Sequence, residues 1–455
     1  MLPVPRSRKL ARRSRLFRIS FDVWKPRMIF WIGACAIGVV SVAFARLADG
    51  AQQLFAALRL AGPYTFLVPL LLAPAGFAFS AWAAMRWFPN AQGSGIPQAI
   101  AARHLHDEDD RTRLLSLKVA MGKIGLTIFG LFCGASIGRE GPTVQVGASF
   151  MLAAGRLGGM AQARGLILAG SAAGIAAAFN TPLAGIVFAI EEMSRSYASR
   201  TNGTVLTAVI LSGLAAFGLS GSYNYFGVSG AAPYGAVDWM LVPACGLIGG
   251  ALGALFSALA LHLGLRIRRW AQPQPQRRMV LLAAACGLAV ALLGILSGGE
   301  TYGTSYEQAR SAIGGEALSP LFFAEKLVAS FLSMISGIPG GIFAPSLAVG
   351  AGLGNSLGLL LGANLALASI LGMAGYFAGV VQAPMTAFVI ILEMTGDHRA
   401  VIPIMAVSML GYLTSRFLAP EPLYHGLSRN FIAQAIRARR HGHGQGRGEA
   451  APSGH

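Results

Sequence analysis

Charged residues are scarce in this chain of 455 residues. Only 12% of the residues are charged, whereas 54% are hydrophobic and the mean hydropathy is +0.59. A soluble domain typically carries about 25% charged residues, and a disordered chain combines low hydrophobicity with high net charge. The composition argues against both classes and indicates a protein that resides in lipid.

Acidic residues are the scarcest charges, with 18 Asp and Glu against 36 Lys and Arg, for a net charge of +18. Fourteen of the basic residues lie at the two ends, nine within residues 1–27 and five after Tyr424. Both ends flank apolar sequence, which predicts a multi-pass protein of the cell (inner) membrane with both termini in the cytoplasm. Because no basic face interleaved with aromatic residues accompanies them, nucleic acid is not an expected partner.

Clustered cysteine and histidine ligands are also lacking. The four cysteines stand singly in apolar runs, without a CxxC pair or metal-ligand spacing, and are expected to be packing residues: Cys35, Cys133, Cys245 and Cys286. Four histidines lie in or near the basic tail, where a solvated segment is favoured over a metal site: His425, His441, His443 and His455. The sequence therefore predicts no metal centre.

The apolar run at 28–46 is long enough to cross a membrane, so it predicts a retained first helix rather than a cleaved signal peptide. We divide the chain into a basic cytoplasmic arm, a transmembrane domain and a basic tail without regular structure. Their bounds are 1–27, 28–428 and 429–455.

Apolar segments of two kinds follow one another along the transmembrane domain, and together they predict an all-α polytopic membrane protein. The long ones are 28–46, 65–85, 204–219, 239–264, 279–297 and 401–418. The others are short or broken by Gly and Pro: 119–136, 143–155, 166–178, 183–193, 321–335, 346–361 and 368–394. Broken helices are tolerated at membrane depth only where their backbone faces protein or a polar cavity.

Two blocks of the chain repeat. Residues 134–148 match 337–351 at an offset of 203, and residues 169–192 match 371–394 at an offset of 202. We expect two structural repeats, about 28–225 and 240–428, whose relative orientation the sequence leaves open. Paired interruptions in the two halves of a transporter point to its binding site.

Three Gly/Pro-rich segments have the composition of a break followed by a helix start: Gly93–Pro97, Gly138–Pro142 and Gly341–Pro345. Proline is favoured in the first turn of a helix. The N–H groups of that turn have no partner inside the helix, and with the helix dipole they favour an anion. Three such starts could converge on one dehydrated anion.

These segments, read as GSGIP, GREGP and GIFAP, resemble the signature of the CLC family of chloride channels and chloride/proton antiporters. The block AFNTPLAGIVFAIEEM at 178–193 and the late PLY at 422–424 match too. The resemblance implies two inverted-topology repeats with broken helices that meet at a central anion site, and a homodimer. It also implies exchange of chloride for protons, with chloride as bound substrate and no cofactor.

The resemblance assigns roles residue by residue. Chloride would be bound by the hydroxyls of Ser94 and Tyr424 and by the amides of Ile342 and Phe343. Glu140 would be the outer gate and proton carrier, and Glu192 the inner proton-transfer residue. The supporting residues would be Gly138, Arg139, Gly141 and Lys123.

Two adjacent acids compete for the inner role. Glu191 is matched by Glu393 in the second repeat, whereas Glu192 falls opposite Met394. A matched carboxylate predicts a structural task shared by both halves, so we assign proton transfer to Glu192. Many relatives carry acids just after GSGIP, where this chain has Gln98, Ala99 and Ile100, so an acidic relay from that side is in doubt.

Other interpretations compete with these. A passive chloride channel of the same fold is the nearest alternative. A fluoride exchanger is disfavoured, because the fluoride-selective branch of the CLC family has another residue at the position of Ser94. Gly218–Gly221 has the GxSG form of an intramembrane serine protease, with Ser220 as nucleophile and His262 as base. Glu140 could instead pair with Arg139, and Glu192 could face the cytosol beside Arg195.

Overall fold

The computed structural model describes the backbone of residues 6–194, 202–221, 224–233 and 235–448, and side chains within 24–437 of those ranges. The described residues form α-helices and no β-strand. The first half contains α1 (Arg6–Leu60), α2 (Pro69–Arg86), α3 (Ile96–His104), α4 (Glu108–Leu114), α5 (Leu117–Phe132), α6 (Glu140–Leu157), α7 (Ala163–Phe179), α8 (Pro182–Phe188) and α9 (Asn202–Ser220). A π-helical segment, Ala189–Ser194, continues α8.

The second half repeats this order. It contains α10 (Ala236–Ala271), α11 (Pro275–Leu296), α12 (Tyr306–Ile313), α13 (Phe322–Ile335), α14 (Phe343–Leu361), α15 (Leu365–Val381), α16 (Pro384–Thr395), α17 (Val401–Leu418) and α18 (Leu423–Gly448). The last helix continues to Gly448, into the segment 429–455 for which the sequence predicts no regular structure. Ala, Arg and Gln, which are good helix formers, are frequent there.

Eight helical segments of the described chain are long and apolar enough to cross a membrane, as expected for an all-α multi-pass membrane protein. Two of them, Glu108–Phe132 and Phe343–Leu361, include stretches that the sequence pattern presents as too short or interrupted. The helices α7 and α15 are shorter and are buried along almost their whole length. Protein rather than lipid therefore surrounds these short helices.

Equivalent glycines make equivalent helix contacts in the two halves. A Cβ atom on Gly147 of α6 would collide with the carbonyl of Gly170 on α7. In the second half, a Cβ on Gly350 of α14 would lie 2.7 Å from the carbonyl of Gly372 on α15. The matched glycines therefore allow the backbones of both helix pairs to touch.

A glycine stripe on α10 packs within the chain. Its members each approach α15 or α17 so closely that a side chain would clash: Gly246, Gly249, Gly250 and Gly253. These glycines, spaced as overlapping GxxxG pairs, therefore serve the packing of α10 against α15 and α17 within the chain.

Reciprocal contacts show that the repeats are inverted. Gly138 and Gly341, which correspond in the repeat, exchange two backbone hydrogen bonds of 2.7 Å in an antiparallel bridge. The Glu191 carboxylate accepts from the amides of Met385 and Thr386 at the start of α16. Glu393, near the end of α16, accepts from the amides of Leu183 and Ala184 at the start of α8. The equivalent helices α8 and α16 therefore run in opposite directions.

Candidate functional site

Three helix N-termini meet where the two halves touch. The residues preceding α3 and α14 are joined by hydrogen bonds from Gly93 to the Ile338 carbonyl and from Gly340 to the Gly93 carbonyl, each of 3.1 Å. The Gly138–Gly341 bridge joins the start of α6 to that of α14. Within the described chain, no side chain caps any of these three helices. Their first-turn amides are therefore available to an anion.

Glycine allows this close approach. A Cβ on Gly341 would lie 3.0 Å from the amide nitrogen of Gly141, and a Cβ on Gly141 would collide with the Ser94 hydroxyl. Gly95, the residue before α3, has φ +102°, which favours glycine. A Cβ on Gly138 would collide with the Glu140 carboxylate. Gly138 and Gly141 thus leave room for the side chains that line the junction.

The predicted chloride ligands lie together at this junction. Tyr424, in the first turn of α18, is fully buried, and its ring centroid lies 5.9 Å from that of Phe343 in α14. Its hydroxyl lies beside Ser94. Ile342 is the N-cap of α14 and Phe343 its first residue. The hydroxyls of Ser94 and Tyr424 are buried, and neither makes a hydrogen bond of ordinary geometry to a described residue, which suits a ligand that accepts hydrogen bonds.

Glu140 is the first residue of α6 and is 0% exposed. Its carboxyl group faces the amide of Ala344 in the first turn of α14. Neither carboxyl oxygen makes a hydrogen bond of ordinary geometry to a described residue. The carboxylate thus lies among helix N-termini that favour a negative charge, and no strong bond fixes it there.

Arg139 turns away from Glu140. Its guanidinium donates to the carboxylate of Asp49 and, at 2.7 Å, to the carbonyl of Ala45, both on α1. An Arg139–Glu140 pair is therefore not the arrangement that the structure adopts. A cavity of about 640 Å³ reaches Arg139, and its lining also includes Arg46, Asp49, Arg59 and Tyr225. Asp49 was not predicted, because its partner is 90 residues away in sequence.

Lys123 is fully buried on α5 and supports the loop before α3. Its Nζ atom donates to the carbonyls of Gly93 at 2.7 Å and Gln92 at 3.3 Å. Lys326 on α13, which the repeat offset of 203 matches to Lys123, is buried as well. It donates to the Ser136 hydroxyl and to the carbonyls of Thr301 and Gly303, at 2.8, 3.0 and 2.8 Å. The repeat could have identified this second lysine in sequence.

Glu192 and Glu191 have different surroundings. Glu191 caps α16, which is a structural task that Glu393 repeats for α8. Glu192 lies in the π-helical segment with its side chain 1% exposed, so it does not face the cytosol. Arg195, proposed as its partner, lies outside the described residues.

His425 also lies in this region, although its position beside the basic tail predicts a solvated residue. Its Nε2 atom lies 3.0 Å from the Glu192 carbonyl oxygen and 3.8 Å from Glu192 Oε1. It directly follows Tyr424 on α18, and that adjacency is the signal the sequence offered. The side chains of the other histidines of the tail, His441, His443 and His455, lie outside the described residues.

The residues of the protease hypothesis are separated. Ser220 ends α9 and lines the cavity that reaches Arg139, whereas His262 is exposed on α10 outside that cavity. The structure thus does not place His262 in the cavity that this serine lines, and the short Gly/Ser segment ends a helix.

A family sequence model described as "Voltage gated chloride channel" matches residues 75–416. This chain belongs to the CLC family. Among its CLC relatives, the H(+)/Cl(-) exchange transporter ClcA of Yersinia pestis bv. Antiqua (strain Angola) is 32% identical, over 94% of this chain and 93% of the relative. The protein of the same name from Salmonella schwarzengrund (strain CVM19633) is 31% identical, with the same coverage. The chain is a transporter of this family and not an enzyme.

Solved CLC structures share the fold. A slow cyanobacterial Cl-/H+ antiporter superimposes with a TM-score of 0.77 at 24% identity, covering 90% of this chain and 98% of the other. A CLC-type fluoride/proton antiporter gives a TM-score of 0.74 at 23% identity, with the same coverage. A eukaryotic CLC transporter gives 0.72 at 24% identity, covering 89% of this chain and 74% of the other. At these identities the likeness establishes the architecture.

Proposed function

We propose that this protein is a secondary active transporter that exchanges chloride for protons. The observation that carries the proposal is the place of Glu140, a fully buried carboxyl group at converging helix N-termini. A site that stabilises this carboxylate also suits chloride, because both are anions that accept hydrogen bonds from amides. The relatives named H(+)/Cl(-) exchange transporter support this function over a passive channel.

Competition for one position couples the two ions. When Glu140 is ionised, its carboxylate occupies the amides of the α6 and α14 N-termini and excludes chloride. When a proton neutralises it, those amides no longer favour it, so the side chain leaves and chloride enters. Each return of the carboxylate releases a proton and displaces chloride, so that movement of one ion depends on the other.

At the inner end of the site, chloride and protons are bound by different residues. Ser94 and Tyr424 donate hydroxyl hydrogen bonds to chloride, with the amides of Ile342 and Phe343 beside them. Such neutral donors bind an anion without holding it as tightly as an adjacent cation would. Tyr424 also lies within electrostatic reach of both Glu140 and Glu192. Glu192 delivers protons to this region along a route that chloride does not use.

Flux measurements in liposomes test the function directly. Purified wild-type protein is reconstituted, and its reversal potential is measured under paired chloride and pH gradients. We expect a chloride gradient to drive uphill proton movement, with a reversal potential that depends on both gradients. A reversal potential set by chloride alone would identify a passive channel. Replacing chloride by fluoride in the same assay tests the fluoride exchanger.

We propose that the protein works as a homodimer in the cell membrane. The second residue of α8 and that of α16 are both exposed, Leu183 by 61% and Met385 by 40%. Broken helix ends do not face lipid within the hydrocarbon region, so a second copy is the expected cover.

We also propose that both termini lie in the cytoplasm, because basic residues concentrate at the two ends of the chain. A reporter enzyme that is active only in the cytoplasm tests the orientation. We expect activity when the reporter is fused to either terminus. An inactive reporter at one end, with a stable fusion, would contradict this orientation.

A further inference from the structure

His425 lies against the buried Glu192. Its Nε2–H group donates a hydrogen bond to the backbone carbonyl of Glu192 at 3.0 Å, and the same nitrogen lies 3.8 Å from the Glu192 Oε1 atom. The side chain of His425 is 18% exposed, whereas that of Glu192 is 1% exposed. One imidazole ring therefore lies against the buried acid and is itself partly exposed.

Among the described residues, the charged groups nearby on the elements that contact α18 and the π-helical segment are engaged elsewhere or face water. Arg103 of α3 donates to the Met193 carbonyl and, at 3.1 Å, to the Ser194 hydroxyl. Glu191 and Glu393 accept hydrogen bonds from amides. The remaining described groups are exposed or half-buried: His104, Arg164, His262, Arg266, Arg268, Arg269, Glu421, Arg429 and Arg437.

We propose that His425 passes protons between the cytosol and Glu192. Histidine suits this task because its side chain ordinarily changes charge between pH 5 and 8. The inference rests on the proposed exchange function, and it names the group through which the inner glutamate reaches water. It differs from the role of Tyr424, the preceding residue, whose hydroxyl points into the anion site.

The transfer balances in two steps. A proton from cytosolic water binds Nδ1 of the neutral ring, whose Nε2 atom already carries a hydrogen. The ring then gives the Nε2 proton to Oε1 of the Glu192 carboxylate, after a side-chain rotation closes the 3.8 Å gap. The ring remains neutral with its hydrogen on Nδ1, and exchange with water restores the starting tautomer. The reverse sequence carries a proton from Glu192 to the cytosol.

His425→Gln tests the relay, since a glutamine amide can donate to the Glu192 carbonyl but does not titrate. The full-length variant is reconstituted in liposomes, and proton and chloride fluxes are measured together from pH 5 to 8. A positioned acid–base group contributes at least about 10²-fold to proton transfer. We expect the proton flux to fall by about tenfold or more, and the proton-to-chloride ratio to fall while chloride still passes.

His104→Gln is the matched control, because His104 is exposed on α3 and interacts with its own helix at the Ile100 carbonyl. It should keep the wild-type ratio and pH profile. His425→Asn serves as a second variant, and calorimetric chloride binding verifies that each variant keeps the anion site. A wild-type ratio and pH profile in His425→Gln or His425→Asn overturns the relay, as does an equal loss of both fluxes.

The outcomes separate this inference from the function on which it rests. Wild-type protein that moves chloride without protons would refute the exchange function itself. Coupled wild-type protein with equally coupled His425 variants would refute the relay alone and leave the exchange function in place.

Discussion

Glu140 is buried and forms no ion pair with a described residue, because the guanidinium of the neighbouring Arg139 binds Asp49 and Ala45 instead. An ionised carboxyl group in an apolar region is costly unless donors surround it. Here backbone amides of the α6 and α14 N-termini surround the carboxyl group, although neither of its oxygens makes a hydrogen bond of ordinary geometry to a described residue. In the proposed exchange, these fixed amides would stabilise the carboxylate and chloride in turn.

Glu140→Gln removes the charge and keeps the shape of the side chain. We expect chloride flux to persist and proton movement to stop, because glutamine neither competes as an anion nor carries a proton. Simultaneous recording of chloride and pH in liposomes measures the ratio. Continued uphill proton transport by this variant would show that another group is the carrier.

Glu192→Gln should also stop proton movement, and it should leave chloride affinity within about twofold of the wild type, a free-energy difference well under 1.4 kcal/mol. The adjacent Glu191→Gln is the matched control, because the Glu191 carboxylate caps α16. This variant should keep the coupling between chloride and proton transport. Flux ratios and calorimetric chloride titrations distinguish the two. Proton pumping that survives Glu192→Gln but fails in Glu191→Gln would reverse the assignment.

At the scale of elements, the reciprocal caps hold α8 and α16 together. Each carboxylate accepts two amide hydrogen bonds at the partner helix's N-terminus. Hydrogen bonds to charged groups contribute about 1.5–3 kcal/mol each, and the helix dipole adds to this in partly buried positions. Isolated helices as short as α8 and α16 are only marginally stable, and these reciprocal hydrogen bonds stabilise the two helices against each other.

Glu191→Gln and Glu393→Gln should therefore destabilise the protein by similar amounts, about 1–3 kcal/mol each. Thermal unfolding in detergent measures the loss. Glu421→Gln is the control, because its ion pair with Arg429 is largely exposed, and it should cost less than about 1 kcal/mol. A clear inequality between the two caps would mean that the halves are not energetically equivalent.

The two buried lysines are equivalent in sequence but hold different loops. Lys123 binds the loop that carries Ser94, whereas Lys326 binds the Ser136 hydroxyl in the loop before α6 and two carbonyls that precede α12. We expect Lys123→Met to weaken chloride binding about tenfold, which corresponds to about 1.4 kcal/mol. Lys326→Met should lower thermal stability and change chloride affinity less than about twofold. Calorimetric titration with chloride decides, and equal effects on affinity would contradict this division.

At the scale of the whole molecule, the repeat and the three helix starts could be predicted from the sequence. The repeat follows from matching blocks of residues, and the helix starts follow from Gly/Pro-rich segments. The distinction between Glu191 and Glu192 was predictable too, since only one of them has a mate in the second half. The Arg139–Asp49 pair and the contact of His425 with Glu192 were not, because their partners are 90 and 233 residues apart. Such contacts depend on how helices pack and leave no local pattern.

The homodimer is tested at this scale as well. Leu183 and Met385 are exposed at the starts of α8 and α16. Cysteine substitutions at these two positions should cross-link two copies in native membranes. Leu360→Cys on α14, exposed by 80%, serves as a control away from those helices. Cross-linking at Leu360 but at neither of the other positions would place the interface elsewhere or show that the contact is random.

The reciprocal contacts between the halves are of the kind that two copies of one chain make in a symmetric pair, where residue i meets j and j meets i. Such contacts constrain insertions and deletions. Lengthening the chain between Gly138 and Glu191 shifts Glu191 relative to Gly138. The Gly138–Gly341 bridge and the caps between α8 and α16 can then no longer form at the same time. Lengthening the connection between α9 and α10 leaves both intact. We therefore expect length variation among close relatives to concentrate in that connection.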